Sequence, residues 1–270
     1  MGSGDDFIGG LIFSGIQMLY FKMKNNSRAK SFQKMADEHN LSFFKKPGEY
    51  HGEILSLNAS KDPHGSPTGK LSSKARFASR MFGQSQLQTH LHNFKSNRWR
   101  GDWQTNCNIM EGTWKGHTMT SFDTLFFNSS SDGTEEGEYT SVFAHCKASI
   151  PRMIISPTGI LSGLKRLDEN QMVNIGYHKI RFELDEFNKS YRVVSADEKL
   201  SYGFITPKMI EYLMKHKHEK WHFEFSEGGI LISTVFTLNA EKVAKAMDFL
   251  AGFLGHLEGY LLKDESHITS

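Results

Sequence analysis

The sequence is poor in cysteine, with only Cys107 and Cys146 among 270 residues. So few cysteines exclude a small fold held together by disulfides and suit a reducing compartment, although a single bridge between the two stays open as an alternative. Only six prolines occur, which excludes collagen-like and proline-rich classes. The chain has 38% hydrophobic and 23% charged residues, and this balance is typical of a globular protein rather than a disordered one.

Signatures of catalysis are also missing from the sequence. There is no Gly-x-Ser-x-Gly elbow, phosphate-binding loop or dinucleotide fingerprint. The pair Gly228-Gly229 joins two predicted strands rather than a strand and a helix, and both cysteines lie in strand-like stretches. We therefore predict no catalytic residue, no cofactor and no small-molecule substrate, and a non-enzymatic role is favoured.

Apolar runs long enough to cross a membrane comfortably are absent as well. The run from Phe7 to Phe21 has 15 uncharged residues, about 22 Å as a helix at ~1.5 Å per residue, whereas a hydrocarbon core is about 30 Å thick. A snorkelling Lys22 and the following Met23 extend its reach to roughly the 17 residues of a minimal span. We predict that residues 1–24 form a membrane anchor, with a buried or interfacial helix as the alternative. The apolar residues of this anchor are Phe7, Ile8, Leu11, Ile12, Phe13, Ile16, Met18, Leu19, Tyr20 and Phe21.

Charge is distributed unevenly around this run. Asp5 and Asp6 precede it, which is the reverse of a secretory signal, and a basic stretch follows it. Between residues 22 and 100 there are 15 lysines and arginines against 5 aspartates and glutamates, although the whole chain carries only +2. The positive-inside rule then predicts an anchor with its N-terminus outside and the body in the cytoplasm. The basic membrane-proximal residues are Lys22, Lys24, Arg28 and Lys30.

Two further clusters could bind a ligand. His216, His218 and His222 in "HKHEKWH" are close enough in sequence to share a zinc ion, so a zinc-dependent hydrolase is the alternative function. The competing interpretation is that they end a helix and enter a strand. The stretch "FKSNRWRGDW" mixes cations with aromatic rings, which is typical of a strand or of a surface that contacts anionic lipid. Its candidate residues are Lys95, Arg98, Trp99 and Arg100. Nucleic-acid binding through Arg98, Trp99 and Arg100 is a third, less favoured alternative.

The body is predicted to be an α+β fold. Apolar residues at helical spacing indicate a juxtamembrane helix over residues 25–40, and a domain over 41–270 follows, with a long excursion at about 55–85. Strand patterns flank the turn Lys115-Gly116, an acidic loop is expected at 129–138, and "SIPRMIISP" is predicted to be an edge strand because proline brackets it.

The C-terminal third repeats a plan of two strands and a helix. Thr206 followed by Pro207 predicts one helix start, and Asn239 predicts the start of the last and longest helix. A turn at Glu227-Gly228-Gly229 separates two strands between these helices. The pattern predicts an antiparallel sheet, or sheets, with helices packed on one face, preceded by the N-terminal transmembrane helix.

The order of these features resembles a family of uncharacterised bacterial proteins. The resemblance rests on "MADEHNLSFF", "EGTWKGHTMTSFD", "SIPRMIISP", "FNKSYRVVSADEKLSYGFITPKMIEYL" and "WHFEFSEGGILIST", across about residues 30 to 260. It implies a bacterial source, an N-terminal anchor and an α+β domain, and it implies no activity. We predict a single-pass protein of the bacterial cytoplasmic membrane that contacts lipid and serves as an accessory subunit for a protein partner.

Overall fold

The computed structural model describes residues 26–45, 103–130, 133–146, 150–158, 176–226, 228–234 and 236–257. In these ranges nine strands form one antiparallel sheet, in the order β1-β2-β3-β4-β9-β8-β5-β7-β6. The antiparallel α+β prediction is therefore confirmed. The strands are β1 Ser42–Phe44, β2 Trp103–Trp114, β3 His117–Ser130, β4 Gly133–His145, β5 Met153–Pro157, β6 His178–Ile180, β7 Tyr191–Ser195, β8 His222–Ser226 and β9 Gly229–Ser233.

Helices follow the sequence signals at their N-termini. The Thr206 hydroxyl accepts a hydrogen bond from the Met209 N–H at 3.3 Å, and the Asn239 side chain accepts one from the Lys242 N–H at 2.9 Å. Both predicted caps are thus confirmed, because each side-chain oxygen satisfies an otherwise unpaired N–H of the first turn. The helices are α1 over residues 26–39, α2 Asp185–Ser190, α3 Glu198–Phe204, α4 Pro207–Lys215 and α5 Ala240–Leu254, and a 3-10 turn covers Lys217–Glu219.

The main core lies between these helices and one face of the sheet. In α1, the buried side chains recur at intervals of three and seven residues, so they lie on one face of the helix, which packs on the sheet. Helix α5 buries a continuous apolar stripe. These side chains pack against alternate residues of the strands, as the period of two in a strand requires. The buried residues that meet there include Phe32, Met35, Ala36, Met110, Met119, Val142, Phe223, Phe225, Ile230, Ile232, Val243, Met247, Leu250 and Phe253.

The predicted hairpin between β2 and β3 is confirmed at its turn. Lys115 and Gly116 both have positive φ, 47° and 86°, the backbone geometry that suits a tight two-residue connection. The predicted acidic loop at 129–138 is wrong. Strands β3 and β4 remain paired out to Ser130 opposite Gly133, so most of this polar stretch is strand. Polar composition misled the prediction because backbone pairing extends a hairpin even where no apolar side chains alternate.

Strand β5 is not the edge strand that its prolines suggested. It lies between β8 and β7, but β8 pairs only with Met153–Ile155. Pro151 precedes the strand and Pro157 extends beyond the β8 pairing, so neither proline interrupts that ladder. The helices α2 and α3 were not predicted. They interrupt the two-strands-and-a-helix plan between β6 and α4.

Within the described ranges, no helix is both long and apolar enough to cross a bilayer. The predicted anchor at residues 1–24 and the excursion at about 55–85 lie outside those ranges. The first described residue is Asn26, in α1, four residues after Lys22. Within the range 25–40 predicted as a juxtamembrane helix, a helix covers residues 26–39, and Asn40 ends it with a positive φ of 55°. Asparagine tolerates this left-handed geometry better than most residues. The position of this helix next to a membrane stays a prediction.

Candidate functional site

A buried ion pair ties α1 to the sheet. The Arg28 guanidinium donates from Nε to Asp123 Oδ2 at 2.6 Å and from Nη2 to Asp123 Oδ1 at 2.7 Å. Only 12% of the Arg28 side chain and 3% of the Asp123 side chain are exposed. The guanidinium carbon also lies 4.6 Å from the centre of the Phe32 ring. Because two parallel bonds fix both distance and angle, this contact sets the orientation of α1 on the body.

A β-bulge supplies a further donor to the same carboxylate. The pairing of β2 with β3 shifts between Cys107 and Met110, and Asn108 takes a positive φ of 50° there. This geometry aims the Asn108 amide at Asp123, with Nδ2 2.9 Å from Oδ2. The bulge therefore supplies one of the hydrogen bonds that offset the cost of burying this carboxylate.

Thr140 connects the ion pair to the segment that leads into α5. Its hydroxyl donates to Asp123 Oδ1 at 2.7 Å and accepts from Arg28 Nη2 at 3.2 Å and from the Leu238 N–H at 2.8 Å. Its backbone N–H donates to the Phe236 carbonyl at 3.2 Å. One threonine thus links α1, the sheet and the 236–238 segment.

That segment forms one wall of a cleft with a volume of about 890 Å³. The other walls are the C-terminal end of α4, the 3-10 turn, the residues that enter β8 and the exposed side of α5. Its size is within the range typical of small-molecule sites. The lining residues are Tyr212, His216, His218, Glu219, Lys220, Trp221, Thr234, Phe236, Leu238, Lys242, Lys245, Asp248 and Phe249.

Aromatic rings form the floor of the cleft. The Phe249 ring stacks with Tyr212 at 5.4 Å and with Trp221 at 6.0 Å between centroids. The Tyr212 hydroxyl donates to the Phe249 carbonyl at 2.8 Å, and it reaches α5 because Gly252 has no side chain; a Cβ there would lie 2.5 Å from Tyr212 Oη. Burial, with further contributions from Glu219 and Asp248, raises the pKa of Tyr212 to about 12. Tyr212 is therefore a neutral donor at physiological pH.

Both acidic residues of the cleft are bound by neighbours. Glu219 accepts from Trp221 Nε1 at 2.7 Å and lies 2.9 Å from His216 Nδ1. Asp248 accepts from Trp114 Nε1 at 2.8 Å and pairs with Lys115 at 2.7 Å. Burial raises the pKa of Asp248, but these bonds and the nearby positive charges outweigh it and hold that pKa below its usual range.

The lysines of the cleft form fewer ion pairs than its acidic residues form hydrogen bonds. Lys245 pairs with Glu241 one turn away at 2.7 Å, and both side chains are exposed. Lys220 and Lys242 are also exposed, and within the described part of the chain neither forms an ion pair. The cleft thus combines an apolar floor with a positively charged rim.

The three histidines of the zinc alternative do not converge. His216 and His218 lie beside the cleft with ring centroids 6.4 Å apart, but His222 is on β8 and faces the other side of the sheet from Trp221. Its Nδ1 lies 2.7 Å from the Ser156 hydroxyl oxygen. No group of three or more potential metal ligands occurs among the residues that the structure describes.

His222 instead belongs to a hydrogen-bonded chain that sequence reasoning missed. Its Nε2 lies 3.2 Å from Glu224 Oε1, and both side chains are almost fully buried. With Nε2 as the donor to Glu224, the unprotonated Nδ1 accepts from Ser156, so one tautomer is compatible with both bonds. Glu224 is two residues along β8 and Ser156 is on the adjacent β5, and alternation along the strands was the available signal. We interpret the hydrogen bonds from Ser156 through His222 to Glu224 as a way for buried polar groups to satisfy one another.

The remaining predicted site residues fall into two groups. Lys30 is exposed on α1, whereas Arg28 is turned onto the sheet and bound to Asp123 rather than to solvent. The rest lie outside the described residues and stay predictions. They are Phe7, Ile8, Leu11, Ile12, Phe13, Ile16, Met18, Leu19, Tyr20, Phe21, Lys22, Lys24, Lys95, Arg98, Trp99 and Arg100.

Both cysteines are buried free thiols, so the alternative of a Cys107–Cys146 bridge is excluded. Burial raises the pKa of Cys146 to about 12, and burial together with the Asp123 and Glu138 carboxylates raises that of Cys107 well above its ordinary value. Neither thiol has the lowered pKa of a nucleophile.

No protein-family profile and no curated protein sequence matches the chain. Among solved structures, the crystal structure of the mycobacterial trehalose monomycolate transport factor A is similar, with a TM-score of 0.42 and 10% sequence identity. The similarity covers 84% of this chain and 93% of that chain. A likeness at this level does not assign a function.

Proposed function

We propose that the protein is a membrane-anchored accessory subunit whose body lies on the cytoplasmic face and works by binding a partner of a membrane complex. The proposal combines the acid-before, base-after order of charges around the Phe7–Phe21 run with the way in which α1 joins the body. The bidentate Arg28–Asp123 bond carries it, because this bond makes α1 part of the rigid body rather than a loose tether.

The short connection between the apolar run and α1 supports a body held close to the membrane. From Phe21 to Asn26 there are five residue steps, which span at most about 18 Å when fully extended. Lys22 and Lys24 lie within this connection, and Lys30 is exposed on α1. Lysines at this distance attract anionic headgroups, with about 1 kcal/mol for each residue near the surface.

Because α1 is fixed to the sheet, the body would keep a defined orientation relative to the start of α1 at Asn26. The Arg28–Asp123–Thr140 network continues to Leu238 and so relates α1 to the cleft. A subunit built in this way would present the same surface to every partner in the membrane plane. Such presentation is useful to a binding protein, because orientation is an entropic cost of association that the anchor has already reduced.

Extraction of bacterial membranes with alkaline carbonate tests the anchor. We expect the full-length protein to stay in the membrane pellet. The double variant Ile12→Glu and Ile16→Glu should move to the supernatant, because two carboxylates in the bilayer centre cost roughly 5 to 7 kcal/mol together. The matched control, Ile12→Leu and Ile16→Leu, should remain in the pellet. Full-length protein found in the soluble fraction without carbonate would overturn the proposal.

The accessory role has its own test. Purification from native membranes in a gentle detergent should yield a stoichiometric complex with another membrane protein. The variant Arg28→Ala should lose this partner while still sedimenting with membranes, because the anchor is intact but α1 is no longer held to the sheet by its ion pair. A protein that elutes alone under all conditions that preserve membrane complexes would count against an accessory subunit.

A further inference from the structure

The cleft between α4, α5 and the 236–238 segment has the chemistry of a ligand site. We propose that it binds an amphiphilic anion, an apolar chain or ring that carries a carboxylate or a phosphate. This inference does not depend on the membrane anchor or on a protein partner. It goes beyond the accessory role because it gives the body a small-molecule ligand.

The apolar part of the ligand fits the floor of the cleft. Tyr212, Trp221 and Phe249 present a continuous stack of rings, and Leu238 adds an aliphatic wall. Displacing water from such a surface gains roughly 25 cal/mol for each Å² of apolar area. A cleft of about 890 Å³ is large enough to enclose most of a ligand rather than a single side chain.

Phe236 extends the apolar surface of the cleft to its mouth. It is 64% exposed at the edge of the cleft, so its ring is accessible to a bound apolar chain. The backbone around it is fixed, since its carbonyl accepts hydrogen bonds from the Thr140 N–H and the Thr234 hydroxyl. The ring is therefore held at the mouth of the cleft, where it can cover a bound chain.

The charged part of the ligand fits the rim. Asp248 is paired with Lys115 and accepts from Trp114. Glu219 is hydrogen-bonded to Trp221 and His216, so both carboxylates already have partners within the protein. Lys220 and Lys242 are exposed and form no ion pair in the described part of the chain. An anionic group at the rim would gain these partners, whereas a cationic group would be repelled by them.

Photo-crosslinking to the full chain in phosphatidylcholine nanodiscs tests the proposal. The probe is a 12-carbon alkyl carboxylate with a diazirine in the chain, and labelled peptides are mapped by mass spectrometry. We expect saturable labelling of peptides that contain Phe236, Leu238 or Phe249. Competition by dodecanoate and by dodecyl phosphate separates a carboxylate ligand from a phosphate ligand, and dodecanol and dodecyltrimethylammonium should compete at least about fivefold less well.

Matched variants locate the site. Lys242→Glu and Lys220→Glu should each weaken labelling about fivefold, whereas Lys208→Glu, an exposed lysine of α4 outside the cleft, should not. Phe236→Ser should weaken labelling, but Leu184→Ser, which removes another exposed apolar residue, should leave it unchanged. Labelling that ignores the cleft variants, that favours the cationic competitor, or that falls only on residues 7–21 would overturn the proposal.

Discussion

Arg28 and Asp123 are 95 residues apart in the chain and form two hydrogen bonds of 2.6 and 2.7 Å. Removal of one partner leaves the other charge buried without its counter-ion. We therefore expect Arg28→Ala to lower the free energy of unfolding by about 3 to 5 kcal/mol, measured by urea denaturation.

A neighbouring lysine provides the control for this ion pair. Lys30→Ala removes an exposed cation from the same helix and should change stability by no more than about 0.5 kcal/mol. The double variant Arg28→Ala and Asp123→Ala should cost clearly less than the sum of the single variants, since the two residues interact directly. If Arg28→Ala costs no more than Lys30→Ala, the ion pair does not fix α1.

Gly252 should tolerate no larger residue while Tyr212 lies across α5. In Gly252→Ala the new Cβ would be 2.5 Å from Tyr212 Oη, so the ring must move and lose its bond to the Phe249 carbonyl. We expect a loss of about 1 to 3 kcal/mol in thermal or urea unfolding. Gly203→Ala, in α3, meets nothing within 4 Å and should instead stabilise the protein by up to about 1 kcal/mol. Equal effects of the two alanines would contradict the packing described for Tyr212.

Asp248 should make stability depend on acid pH. Its pKa is lowered in the folded protein by Lys115 and Trp114, so its charged form stabilises the fold at any pH above the ordinary carboxyl value of about 4. This contribution is lost as the pH falls through the lowered folded pKa. The stability difference between wild type and Asp248→Asn should therefore be constant near neutrality and shrink below about pH 4. A stability difference that grows on acidification would contradict a lowered pKa for Asp248 in the folded protein.

Cys146 should react slowly with thiol reagents while the protein is folded. Burial raises its pKa to about 12, so at pH 8 almost none of it is thiolate, and its Sγ lies against the Ala144 carbonyl. We expect a disulfide reagent to modify neither cysteine of the native protein within minutes and both after unfolding in urea. Rapid reaction of one thiol in the native state would contradict the burial of that cysteine.

Local signals in the sequence predicted local structure well. Thr206 with Pro207 and Asn239 identified two helix starts, since a cap depends only on residues three positions away. The turn at Lys115-Gly116 was recognised for the same reason. The prolines around β5 were misleading because their meaning depends on which strand lies alongside, and pairing partners are distant in sequence.

The candidate site could not be predicted from the sequence for a related reason. The position of Arg28, shortly after the apolar run, is typical of a membrane-proximal cation. No residue near it in the sequence indicates Asp123 or Thr140 as its partners. The three histidines of "HKHEKWH" suggested a single cluster, but the strand that begins at His222 sends alternate side chains to opposite faces. The cleft itself collects residues from α4, the connection between α4 and β8, α5 and the segment between β9 and α5, which only the fold brings together.

Protease accessibility in oriented bacterial membranes tests the central claim most directly. In inverted inner-membrane vesicles the body should be digested, and in intact spheroplasts the same protease should leave it whole, because the membrane separates it from the medium. Spheroplasts opened with detergent are the control, because the protease should digest the body once the membrane no longer excludes it. Digestion of the body in intact spheroplasts, or its recovery free of membranes, would contradict an anchored protein with a cytoplasmic body.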